Sequence, residues 1–98
     1  MKFTTEELKR IIIPKAQEYG IKSVSLFGSY ARGEATDESD VDILIDRGKL
    51  RGLLKYFSFV NELEDSLECH VDVVTIGIED KIFLDRITKE GVLLYAAE

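Results

Sequence analysis

Leu26-Phe27-Gly28-Ser29-Tyr30-Ala31-Arg32-Gly33, followed after six intervening residues by Asp40-Val41-Asp42-Ile43-Leu44-Ile45-Asp46, is the stretch on which the fold turns. Lys22 to Phe27 is β-branched and apolar and runs into Gly28-Ser29, the pattern of a strand entering a tight turn, with Tyr30 to Arg32 as a helical turn behind it. Gly33 to Ser39 reads as a helix end and an acidic loop. Val41 to Asp46 is short and mostly apolar, as a buried strand is, and Asp40 stands at its entrance. Twelve residues, Gly28 to Ser39, separate the two strands. That is the lower limit for a parallel crossover, so periodicity alone leaves their relative direction open.

The segments on either side fill in the layers. Thr5 to Tyr19 places Leu8, Ile11, Ile12 and Ala16 at helical spacing. Thr4 or Thr5 caps this helix, Gly20 closes it, and Pro14 is expected to kink it or to start a second short helix. Between residues 50 and 67, Leu50, Leu53, Leu54, Phe57, Val60, Leu63 and Leu67 recur at three- and four-residue intervals, which predicts a helix with that stripe inward. Tyr56 and Phe59 lie off the stripe and are expected on a partner or self-association surface. His70 to Thr75 is a third strand, Asp80 to Lys89 a helix carrying Ile82, Phe83 and Ile87 and closed by Gly91, and Val92 to Tyr95 a short last strand. Helices alternating with strands predict an α/β fold, a small sheet covered by helices. No linker or repeat breaks the chain, so residues 1–98 read as one domain.

Composition narrows the function. Thirteen Lys and Arg against nineteen Asp and Glu give a net charge of −6, so the chain repels phosphate backbones and binding to nucleic acid through a broad basic face is not expected. No apolar run approaches the roughly 20 residues that span a bilayer, and the start carries no signal-peptide pattern, which points to a cytoplasmic protein without a membrane partner. Cys69 is the single cysteine and has no metal-binding pattern beside it; it reads as a small buried hydrophobe.

Charge is concentrated where the strands begin. Glu34, Asp37, Glu38, Asp40, Asp42 and Asp46 fall within thirteen residues that hold no Lys or Arg, so the fold must solvate or neutralise them. Asp40 and Asp42 are two apart on a strand and project from one face, roughly 6.5 to 7 Å apart along the backbone. Asp72 puts a third carboxylate into the apolar strand Val71-Asp72-Val73-Val74, where packing has no use for a charge. If the two strands are neighbours, the three carboxylates share one pocket. Hard oxygen donors without His or Cys suit Mg²⁺ or Mn²⁺ rather than Zn²⁺. Gly28 permits close backbone approach, and the Ser29 hydroxyl with nearby N–H groups can donate to phosphate oxygens. Metal-binding carboxylates beside such a turn are what phosphoryl or nucleotidyl transfer requires.

These residues carry a resemblance. Gly28-Ser29, ten residues, Asp40-Val41-Asp42 and then Asp72 resemble the signature of the polymerase-β-like nucleotidyltransferases. The wider wording, Leu26 to Ala35 followed by Ser39 to Leu44, is similar in particular to the minimal nucleotidyltransferases, and with Gly91 to Tyr95 the likeness covers nearly the whole chain. The resemblance implies the nucleotidyltransferase fold with a small mixed sheet. It implies two Mg²⁺ ions held by Asp40 and Asp42, with Asp72 on the ion that activates the attacking hydroxyl. ATP would be the substrate, its terminal phosphates on Gly28 and Ser29, with Arg32 as a further phosphate contact. It also implies a partner, a HEPN-domain toxin that receives AMP on a tyrosine hydroxyl, so that this chain is the antitoxin. The alternative is an antitoxin that neutralises the toxin by direct binding, with catalysis dispensable. His70, beside Asp72, invites a general-base reading, but a surface histidine at a strand entrance is the plainer one.

Overall fold

The computed structural model describes residues 2–77 and 81–97. In chain order the elements are α1 (Thr5–Glu18), β1 (Ser23–Phe27), α2 (Gly28–Arg32), β2 (Val41–Asp46), α3 (Leu53–Leu67), β3 (Val71–Thr75), α4 (Lys81–Glu90) and β4 (Val92–Ala96). Four strands form one mixed sheet in the order β3-β2-β1-β4. β1 pairs antiparallel with β2 and β4, and β2 pairs parallel with β3, joined through α3. The direction left open by the sequence is thus resolved: the short α2 and its loop reverse the chain, and the fifteen-residue α3 makes the parallel crossover.

α1 begins on a capping box. The Thr4 hydroxyl accepts from the Glu7 N–H at 3.1 Å, and Glu7 Oε1 accepts from the Thr4 N–H at 2.9 Å. Its buried residues Leu8, Ile12 and Ala16 are four apart, one row down one face. Pro14 sits inside a single helix, so no second short helix starts there.

The core is the sheet face bearing Val24, Leu26, Val41, Ile43, Ile45 and Val71, covered by Leu8, Ile12 and Ala16 of α1 and Phe59, Leu63 and Leu67 of α3. α3 sits in a different phase from the expected stripe. Phe59 is fully buried and Tyr56 half-buried, whereas Leu53, Leu54 and Phe57 are 73%, 86% and 54% exposed. Phe59, Leu63 and Leu67 form an i, i+4, i+8 row, and at about 100° per residue Leu54 falls on the far side of the helix from it. Phe59 is therefore core and not an interaction surface. Tyr56 faces the sheet too, its hydroxyl donating to Val73 O at 3.4 Å. α4 buries Ile87 but leaves Ile82 exposed; Asp80, its expected first residue, lies outside the described residues.

α1 and α3 are also tied by polar groups. Glu62 of α3 accepts from Lys15 Nζ at 3.0 Å and from the Tyr19 hydroxyl, and the Tyr19 ring meets Phe59 edge-on at 5.5 Å. Among the described residues no helix is long and apolar enough to cross a membrane.

Candidate active site

The opposite face of the sheet carries the acids. β-Strand alternation that turns Val41, Ile43 and Ile45 inward turns Asp42, Leu44 and Asp46 the other way. The parallel register sets Asp42 directly beside Asp72, and Val41 beside Val71. One residue earlier on each strand stand Asp40 and His70, and Val41 N–H donates to His70 O at 3.1 Å, clipping the two strand entrances together. Asp40, His70 and Asp72 each offer a ligand atom within 4.8 Å of the others.

Asp42 is not in that 4.8 Å set but adjoins it, standing directly beside Asp72 in the sheet register, so that their two negative charges repel. Its pKa is pushed from 3.8 up to about 6, first by burial, then by the negative charges of Asp72 and Asp40. Asp40 and Asp72 are exposed and Asp42 half-buried, so the three acids the sequence singled out form one graded cluster open to solvent on one side.

Gly28 meets this cluster from β1. Phe27, the last residue of β1, pairs with Asp42, so α2 starts alongside that carboxylate. Gly28 has φ +72°, and a Cβ there would collide with Asp42 Oδ2. Two constraints therefore demand glycine, a left-handed backbone and a carboxylate in the space a side chain would take. Ser29 follows in the first turn of α2 and is half-buried. Arg32 lies at the far end of α2, with Nε 3.1 Å from Glu34 Oε1 and Nη1 3.3 Å from Glu90 Oε1. Its guanidinium is thus shared by two carboxylates, linking α2 to α4, while its charge still eases Asp42 slightly downward.

His70 stands at the surface where β3 begins, as the sequence suggested, but it has partners there. Its ring is exposed, yet Nε2 lies 3.0 Å from Asp72 Oδ1 and Nδ1 lies 3.0 Å from Glu64 Oε2. Its pKa is raised, chiefly by the hydrogen bond to Asp72. The signal was present, since His70 and Asp72 have the same two-residue strand spacing as Asp40 and Asp42. Cys69 is half-buried against the core, and burial pushes its thiol up, away from reactivity. A cavity of about 370 Å³ opens between the start of α3 and β3, lined by Arg47, Leu50, Leu53, Tyr56, Val73 and Thr75. Val73 and Thr75 alternate with Asp72 along β3, so this cavity is on the other face and takes no part in the acidic site.

Asp42 and Asp72 thus stand side by side on adjacent parallel strands, next to the glycine turn that opens α2. The sequence profile described as polymerase beta, nucleotidyltransferase matches residues 9–98. The chain belongs to the polymerase beta nucleotidyltransferase family. Relatives within this nucleotidyltransferase family include a Methanocaldococcus jannaschii protein provisionally named a protein adenylyltransferase, 43% identical over 88% of this chain and 92% of its own. The protein adenylyltransferase MntA of Thermococcus cleftensis is 40% identical over 72% of this chain and 76% of its own. Among solved structures, a protein described provisionally as a minimal nucleotidyltransferase superposes with a TM-score of 0.79 at 28% identity, covering 92% of this chain and 95% of its own. A toxin–antitoxin structure with AMP-PNP gives 0.79 at 21% identity, covering 92% and 74%. A tri-AMPylated Shewanella oneidensis HEPN toxin in complex with MNT antitoxin gives 0.74 at 18%, covering 96% and 74%. The last two, at such identities, speak to the nucleotidyltransferase fold alone, and the mixed four-stranded sheet is that fold.

Proposed function

We propose that this nucleotidyltransferase is a Mg²⁺-dependent protein adenylyltransferase that moves AMP from ATP to a hydroxyl, that of a tyrosine, on a HEPN-domain toxin, and so serves in the cytoplasm as the antitoxin of the pair. One observation carries the reading: the parallel register that joins Asp42 to Asp72 beside Gly28, with Asp40 at the same strand entrance. Relatives named protein adenylyltransferases support AMP transfer to a protein acceptor.

Asp40, Asp42 and Asp72 would hold two Mg²⁺ ions. Their hard, crowded carboxylates fit such ions, and burial followed by the charges of Asp72 and Asp40 raises the pKa of Asp42. Bound Mg²⁺ supplies charge neutralisation for the polyphosphate and acidification of the attacking hydroxyl. The protein's own groups do the placing. Gly28 lets Asp42 seat against the β1–α2 turn and puts no side chain of its own between the triphosphate and the backbone, and the Ser29 hydroxyl donates to a phosphate oxygen. Arg32 reaches a phosphate only by giving up its ion pairs to Glu34 and Glu90, and such exposed pairs cost little to break. The hydroxyl oxygen bonds to the α-phosphorus as the bond to the bridging β-phosphate oxygen breaks. Pyrophosphate leaves with the electron pair, and the hydroxyl proton passes to the carboxylate cluster.

The test is to incubate the chain with a HEPN-domain partner, ATP labelled in the α-phosphate, and Mg²⁺. Label is expected on a partner tyrosine, lost in Asp40→Asn and Asp42→Asn. Full neutralisation of the toxin by those variants would instead support an antitoxin that acts by binding.

A further inference from the structure

We propose that His70 is itself a metal ligand, adding an imidazole nitrogen to the oxygens of Asp40 and Asp72 and tilting this site from Mg²⁺ toward Mn²⁺. The inference rests on the metal-site reading above and extends it to a residue outside the Asp triad.

Position comes first. His70 immediately precedes β3, and its two-residue spacing from Asp72 puts both side chains on the acidic face. The bond from Val41 N–H to His70 O fixes that entrance against Asp40. Donor spacing comes second. Nε2 and Asp72 Oδ1 are 3.0 Å apart, and Asp40 completes a set spanning no more than 4.8 Å. Two donors at right angles on an ion with bonds of about 2.1 Å stand about 3 Å apart, so the spacing of Nε2 and Oδ1 is that of neighbouring ligands.

The outer contact is a separate observation. His70 Nδ1 faces Glu64 Oε2 at 3.0 Å, and the same Glu64 oxygen accepts from Val71 N–H at 3.0 Å. A metal-bound histidine characteristically gives its second N–H to a carboxylate, which fixes the ring and leaves the other nitrogen for the ion. Glu64 stands on α3, outside the acidic cluster, and is anchored by the backbone of the strand that carries Asp72. Packing does not account for the arrangement, because the His70 side chain is 58% exposed. Nε2 faces Asp72 Oδ1, so an ion held by that carboxylate would lie within reach of the imidazole. An all-carboxylate set suits Mg²⁺, whereas imidazole favours first-row transition ions, of which Mn²⁺ also accepts the remaining oxygens.

The experiment strips the full chain with EDTA and titrates it with Mn²⁺ alone, and separately with Mg²⁺. Electron spin-echo spectroscopy on bound Mn²⁺ is expected to show nitrogen modulation in the wild type and none in His70→Gln. Mn²⁺ affinity is expected to fall about tenfold or more in His70→Gln, with Mg²⁺ affinity nearly unchanged, and to fall less in Glu64→Gln. Thermal melting of each metal-free variant verifies that it is folded. Mn²⁺ bound without nitrogen modulation, at equal affinity in the wild type and His70→Gln, overturns the role of His70 while the Asp site stands. No Mn²⁺ or Mg²⁺ binding to the wild type overturns both.

Discussion

Replacing Asp42 by Asn should make the protein more stable in EDTA, although it removes a carboxylate proposed above to hold Mg²⁺. Asp42 is raised from 3.8 to about 6, so the folded chain holds a proton there that the unfolded chain has released. Between those values the native state binds more protons, and stability falls as pH rises through the window, the full loss being reached above about 6. A shift of that size corresponds to at most about 3 kcal/mol. Asp42 is half-exposed, and screening by solvent reduces this to roughly 1 to 1.5 kcal/mol. Asn keeps the shape and can donate to Asp72 without adding charge. For a chain of this size Asp42→Asn should then melt roughly 5 to 10 °C higher than wild type at pH 8 in EDTA. At pH 4, where wild-type Asp42 is protonated, the two should melt together. Mg²⁺ with ATP should raise the wild-type midpoint, by preferential binding to the folded state, and leave the variant unmoved. The assay is calorimetric or fluorescence melting across pH with and without the ligand. An Asn variant less stable than wild type at pH 8, or a difference that does not change with pH, would refute the reasoning.

Three further outcomes are expected. Phe59→Ala should cost about 3 to 5 kcal/mol in urea denaturation, whereas Phe57→Ala, on the exposed side of α3, should cost under about 1 kcal/mol. Gly28→Ala should lose roughly 1 to 2 kcal/mol to its left-handed backbone and should displace Asp42, so its melting midpoint should no longer respond to Mg²⁺ and ATP. Glu62 is held below the usual Glu range, first by the Tyr19 hydroxyl and then by Lys15. Its contribution is therefore present above the ordinary Glu pKa and lost as pH falls through the lowered one, and Glu62→Gln should flatten the acid limb of the stability curve.

The acids were legible because strands impose a rule that needs no partner: residues two apart share a face, and a charge amid Val71, Val73 and Val74 has no packing use. What the sequence did not contain was register. Only the parallel pairing of β2 with β3 sets Asp42 against Asp72 and Asp40 near His70. The same spacing rule applied to His70 and Asp72 would have brought the imidazole into the site; charge drew attention to the carboxylates instead. α3 misled for a different reason. Its first half, Leu53 to Phe57, is apolar nearly all round, so a stripe could be drawn through it in more than one phase, and the row Phe59, Leu63, Leu67 decides because it is the one that meets α1 and the sheet. The reversal between β1 and β2 was hidden by length, since twelve residues suffice for either direction.

Anomalous diffraction from crystals grown with ATP analogue and Mn²⁺ tests the central claim most directly. Peaks are expected within bonding distance of the carboxylates of Asp40, Asp42 and Asp72, with the triphosphate against Gly28 and Ser29. Ordered nucleotide bound elsewhere, with no metal on these three side chains, would contradict it.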